Sequence, residues 1–168
     1  MYLLVLATGM VFYLSSCTKD TNFSEESNPQ KSELKTGNNP SASGQGQFLV
    51  NDVLRHFSFH AITKQNGTVE GNGVLNYNGA DNTQIKFDID CLNVNGNMAT
   101  MSGAVTSSNL EIWPAGTPVA FSVVDNGEGS GSDPDQMTLL QQSPAFDCYT
   151  WPGLPLNPIT GGNIQVNP

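Results

Sequence analysis

Four carboxylates and an amide crowd one Gly-rich segment, Asp125-Asn126-Gly127-Glu128-Gly129-Ser130-Gly131-Ser132-Asp133-Pro134-Asp135. Hard oxygen donors on a pliable backbone suit Ca²⁺. Asp125, Asn126, Glu128, Asp133 and Asp135 are therefore candidate calcium ligands, although their spacing is not that of an EF-hand loop. Glycine and Pro134 also serve a simpler end, a long soluble turn between two strands. A third reading sets an enzyme's active site beside this loop.

Other groupings are weaker. His56 and His60 alternate with Phe57 and Phe59, so they share a strand face about 13 Å apart, too far for one metal ion. They read as solvated side chains. Asp88 and Asp90 share a face about 7 Å apart, a separation compatible with acid–base work on a glycoside. Alternation on any half-exposed strand produces the same pair. Trp113 and Trp151 each precede a proline and either stack on a ligand or cap the core. No residue set forms a recognisable catalytic centre. No basic residue adjoins Cys91 or Cys148 to activate a thiolate.

The elements that carry these residues are strands. Residues 55–61 alternate polar and apolar side chains with a period of two. Asn66-Gly67 leads from them into Thr68-Val69-Glu70, and Asn95-Gly96 stands between alternating runs at 87–91 and 98–105. Asn-Gly in that setting predicts a tight hairpin with positive φ at both turn residues. Further strands are expected at 47–50, 119–124, 137–140 and 163–166. No stretch carries a helical period. A chain with 17 glycines and only 12% charged residues suits turns better than helices. The expected fold is all-β, a small antiparallel barrel of about eight strands, with a β-sandwich as the alternative.

Residues 2–14 form an uncharged apolar run. As a helix it would reach about 20 Å, short of a hydrocarbon core of roughly 30 Å. That is the length of a signal-peptide core. Leu14-Ser15-Ser16-Cys17 follows at once and resembles the lipobox of bacterial lipoproteins: an aliphatic residue, two small ones, then the cysteine that becomes the lipidated N-terminus. The resemblance implies that Cys17 accepts a diacylglyceryl group and that acyl chains hold the mature protein at a membrane without crossing it. Lys19-Asp20 is similar to the start of many Bacteroidetes lipoproteins, which implies a Gram-negative cell envelope and its outer membrane. The basic residue that commonly precedes such a core is missing, since only Met1 stands before Tyr2.

The expected organisation is a signal peptide over 1–16, a lipidated cysteine and flexible tether over 17–44, and an all-β domain over 45–168. The tether's Ser, Asn, Lys, Glu, Gly and Pro bury too little apolar surface to order a chain. With Cys17 lipidated, Cys91 and Cys148 remain, and an oxidising compartment predicts a disulfide between them. Cys91 shares the alternation of Phe87 and Ile89, so it is expected to face inward and pin the C-terminal segment to the core. The formal net charge of −9 repels phosphate backbones, and nucleic acid is not an expected partner.

The segments GQGQF (45–49), LRHFSFHA (54–61), NGTVEG (66–71), DIDCLNVNGNMA (88–99), SGAV (102–105), FSVVDNGEG (121–129), PDQMTLL (134–140) and GNIQV (162–166) resemble a widespread group of uncharacterised bacterial secreted or lipoprotein β-domains. The resemblance covers the domain from Ser41 onward and brings no activity or catalytic residue with it. The expected function is a non-enzymatic binding or surface-display module that presents loops to a small ligand, a glycan or a protein. An enzyme of unknown type and a structural envelope component are the alternatives. An interior cavity with convergent polar groups favours ligand binding or catalysis, and an interior filled by side chains favours display or structure.

Overall fold

The small polar residues at the head of the domain are already strand. In the computed structural model, which describes residues 39–77, 83–129, 131–142, 147–150 and 152–168, β1 runs from Ser41 to Val50. The expected boundary at Gln45 therefore moves upstream to Ser41. Ala42 is buried and stands between its register partners Ala61 and Val166. Gly44 lies directly beneath the ring of Phe59. Neighbouring strands supply the apolar mass here, so β1 needs little of its own.

The chain continues through β2 (Val53–Thr63), β3 (Val69–Tyr77), β4 (Thr83–Asn95), β5 (Met98–Ser108), β6 (Pro118–Val124), β7 (Gln136–Met137), β8 (Gln141–Gln142) and β9 (Asn157–Asn167). The strand order is β5-β4-β3-β2-β1-β9-β7-β6, and β5 also pairs with β6. Eight antiparallel strands thus close into a barrel, and β8 is an extra strand on β6. Each expected strand segment lies in the barrel. The one expected at 137–140 keeps only the short β7, and Thr138 continues the contact with β6 through hydrogen bonds to Ser122.

Two turns differ from expectation. At Asn66-Gly67 and Asn95-Gly96 only the glycine has positive φ, 81° at Gly67 and 60° at Gly96. Asn66 instead accepts the Thr68 N–H on Oδ1 at 3.0 Å, and the loop widens to 64–68. In the second hairpin Asn95 pairs with Met98, so Gly96 is the first of two turn residues, as a type II′ turn requires. The turn with positive φ at both central residues is Asn51-Asp52, at 49° and 62°.

Aromatic rings run through the interior. Phe48 and Phe57 lie 6.0 Å apart between centroids, Phe57 and Phe59 6.1 Å, Phe59 and Phe121 5.4 Å, and Phe121 and Phe87 5.6 Å. Leu75, Ile85, Met101, Val119 and Ile164 fill the remaining space and are shut off from solvent. Burying each such side chain stabilises by roughly 1.5–3 kcal/mol. This barrel is packed like a core.

Cys91 and Cys148 form the expected disulfide, with Cα atoms 5.7 Å apart. Its face is not the expected one. The β4–β5 register shifts between Ile89 and Cys91, and Leu92 rather than Cys91 enters the core, opposite Met101. Neighbouring strand residues point to opposite faces, so Cys91 points outward. The bridge holds the C-terminal segment against the outer wall, where the Asn93 amide donates to the Cys148 carbonyl at 3.3 Å.

Candidate functional site

Barrel closure is thinnest between β6 and β9. The short β7 spans this seam, with Val124 opposite Gln136 on one side and Gln136 opposite Pro158 on the other. Beyond it, side-chain oxygens take the place of a strand. Asp135 accepts the Ile164 N–H on Oδ2 and the Asn126 N–H on Oδ1, both at 2.8 Å, while its carbonyl accepts the Ile159 N–H at 2.9 Å. Asp125 accepts the Val166 N–H at 3.0 Å and, with its other oxygen, the Gly127 N–H at 2.8 Å. Glu128 accepts the amides of Asn163 and Gln165 at 3.0 and 3.3 Å. The Asn126 amide donates to the Pro134 carbonyl at 2.7 Å.

Of the candidate calcium ligands, Asp125, Glu128 and Asp135 are thus held against β9 by protein N–H groups, and Asn126 is tied to the loop by its own donors, to Asp135 and Pro134. Asp135 is 6% exposed, whereas Asp133 faces solvent. Among the described residues no three His, Cys, Asp or Glu side chains are grouped so as to hold a metal ion. The loop closes the seam between β6 and β9 through these hydrogen bonds.

The remaining candidates scatter. His60, Asp88 and Asp90 are exposed on the outer wall and His56 is half-buried there, with Asn72 standing in register between His60 and Asp88. Trp113 belongs to the core and caps one barrel end from the loop between β5 and β6. Trp151 and Cys17 lie outside the described residues. Open clefts run along the outer wall of β1, β2 and β9, lined by Gln45, Gln47, His56, Ser58 and Asn163. Next to the bridge, Asp147 accepts the N–H groups of Tyr149 and Thr150 and the Thr150 hydroxyl. These bonds hold its carboxyl below the ordinary value.

One inward residue carries no signal in a list of charges. Arg55 is the chain's single arginine, and the alternation of β2 sets it on the inner face with Phe57, Phe59 and Ala61. Its guanidinium carbon sits 4.9 Å from the centroid of the Tyr77 ring. Nε and Nη1 are buried, and among the described residues neither has a hydrogen-bond partner. Burial pushes the Tyr77 hydroxyl above its ordinary pKa, and the positive charge of Arg55 offsets part of that rise. This pair lies at the barrel end opposite Ser41. Ser41, the 64–68 loop and the acidic loop gather at the other end, where Asp125 N–H meets the Asn97 carbonyl.

The class these features define is a closed antiparallel β-barrel with a filled interior. Compared with family models, curated proteins and solved structures, the chain matches none.

Proposed function

We propose that this protein is an exported, lipid-anchored, non-enzymatic module that displays its barrel at the cell envelope and binds through its surface. The filled interior carries the reading. Phenylalanine rings and aliphatic side chains occupy the space in which a small barrel would otherwise hold a ligand. The candidate acids of the 125–135 loop are engaged in closing the seam, which leaves the enzyme alternative without a set of free catalytic groups there.

The anchor rests on the apolar run at 2–14 and on Leu14-Ser15-Ser16-Cys17. Two acyl chains on Cys17 anchor stably where one is marginal. The group this chain resembles, the uncharacterised bacterial secreted or lipoprotein β-domains, fits that role, and the outer membrane is its proposed home.

Metabolic labelling with a fatty acid tests the anchor. The native chain is expected to take up label and to fractionate with membranes, and Cys17→Ala to lose both. A Cys17→Ala variant that stays with membranes, beside a native chain that takes up no label, defeats the proposal.

A further inference from the structure

We infer that the outer wall of β9, β1 and β2 is a binding trough for an uncharged glycan. Two adjoining clefts run along this wall and share Gln45 and Ser58, and the larger has a volume of about 540 Å³. Small-molecule sites have volumes of about 300–1,000 Å³. β1 is paired with β2 on one side and β9 on the other, so it offers no free edge and recognition falls to side chains. Register sets Gln47 between His56 and Gly161, and Gln45 between Ser58 and Asn163. Residues 43–47, 56–60 and 161–165 include no Asp, Glu, Lys or Arg, although the chain has a formal charge of −9. A carboxamide sets an acceptor beside two donors, which matches neighbouring sugar hydroxyls, each a donor and an acceptor. A charged ligand meets no counter-charge here, and Glu128, held by the Asn163 and Gln165 amides at the β9 border, turns away an anion.

Gly161 is the second observation. A Cβ at Gly46 would collide with the Gly161 carbonyl, and one at Gly162 with the Gln45 carbonyl, so packing accounts for both glycines. A Cβ at Gly161 would meet only the flexible Gln47 side chain, at 3.6 Å or more, and Gly161 does not have positive φ. The residue without a register partner at the bulge is Thr160. Glycine weakens a strand, and where neither turn nor packing requires it, it suits the close approach of a ligand to the backbone. Here it keeps the trough open beside Gln47.

The inference rests on the reading of the domain as a module that binds through its surface, but not on its anchor. The side-chain amide resonances of Gln45 and Gln47 in a ¹⁵N-labelled full chain report on the trough. Cellohexaose, dextran and mannan are the neutral probes, and polygalacturonate is the charged one. The expected result is a saturable shift of these resonances with at least one neutral probe and a weaker response to polygalacturonate. Gln47→Ala should weaken the response about tenfold, and Gly161→Val, which fills the trough, should abolish it while keeping the native Tm. Silence with all three neutral probes overturns the site, and a stronger response to polygalacturonate overturns the neutral assignment. Resonances that move with protein concentration alone, beside a dimer in sedimentation, make a second copy the occupant and overturn the glycan. Should Gly161→Val fail to fold, Gly161 is structural, its part of the argument falls, and Gln47→Ala decides the site. Silence with intact membrane fractionation removes this site and leaves the display proposal standing, whereas a saturable shift in a chain that takes up no lipid label removes the anchor and leaves the site.

Discussion

Asp135 holds the Ile164 amide through Oδ2 at 2.8 Å, and with this bond one side chain does for β9 what a neighbouring strand does elsewhere. Its second oxygen takes the Asn126 N–H at 2.8 Å, so the same carboxylate fixes both the loop and the strand. Asp125 repeats the device two residues further along β9, at Val166. Antiparallel pairing across the seam is limited to β7, and these acids carry the rest of the closure.

Asp135→Asn should therefore destabilise the fold by about 2–4 kcal/mol. The amide keeps one acceptor and turns an NH₂ group toward a backbone N–H. Asp133→Asn, on an exposed side chain, should stay within about 0.5 kcal/mol. Urea unfolding in EDTA and in millimolar Ca²⁺ measures both. Equal losses in the two variants, or a loss that appears only with calcium, would return the loop to the metal reading.

Gly44→Ala probes the tight approach of β1 to the core. An added Cβ would stand 2.8 Å from Phe59 Cε1 and 3.0 Å from Ile164 Cγ1. The Phe59 ring is flanked by Phe57 and Phe121, so it cannot swing away without disturbing both. The expected loss is about 1–3 kcal/mol, while Ser43→Ala on the exposed face of the same strand should be nearly neutral. A tolerated Gly44→Ala would mean that β1 packs more loosely than these distances state.

How much of this was legible depends on where each residue's partners come from. Phe57 and Phe59 announce their strand because alternation marks one buried face within a single segment. Ala42 and Gly44 announce nothing, since the side chains that bury them belong to β2 and β9. The pairing of Cys91 with Cys148 was readable, but its face was not, because a bulge inverts the alternation without leaving a mark in composition. The acids of 125–135 were visible as a cluster. Their partners, the amides of Ile164 and Val166, are far along the chain, and a cluster of carboxylates looks alike whether ions or N–H groups satisfy it. Arg55 was hidden differently: its face follows from alternation, but its stacking on the Tyr77 ring shows only in three dimensions.

Removing the bridge should cost about 4 kcal/mol in the chain-entropy model for a separation of 57 residues. The location of the bridge predicts how that loss is distributed. Cys91 points outward, so the interior contacts of Phe59, Phe87 and Phe121 survive in the Cys91→Ser/Cys148→Ser variant. Hydrogen exchange should rise first around 147–150, where the Asn93 contact is lost, while β1 to β3 stay protected relative to global unfolding. Uniform loss of protection along all strands would show instead that the bridge supports the core directly.

The two shifted groups predict opposite limbs of a stability–pH curve. Asp147 has a depressed folded-state pKa, because the Tyr149 and Thr150 N–H groups and the Thr150 hydroxyl favour the carboxylate. Its contribution is present above the ordinary carboxylate range, near about 4, and is lost as pH falls through the folded value. Asp147→Asn should flatten that acid limb slightly, the group being exposed. Tyr77 behaves in reverse: burial raises its folded pKa, so its contribution holds below the ordinary value of 10.0 and is lost as pH rises through the folded one. Tyr77→Phe should flatten the alkaline limb. Arg55→Met should push the Tyr77 titration higher still, since it removes the charge that now draws the value down. Phenolate absorbance in native, Tyr77→Phe and Arg55→Met chains separates this tyrosine from the other three. An unchanged Tyr77 titration in Arg55→Met would show that the guanidinium does not lie over the ring in solution.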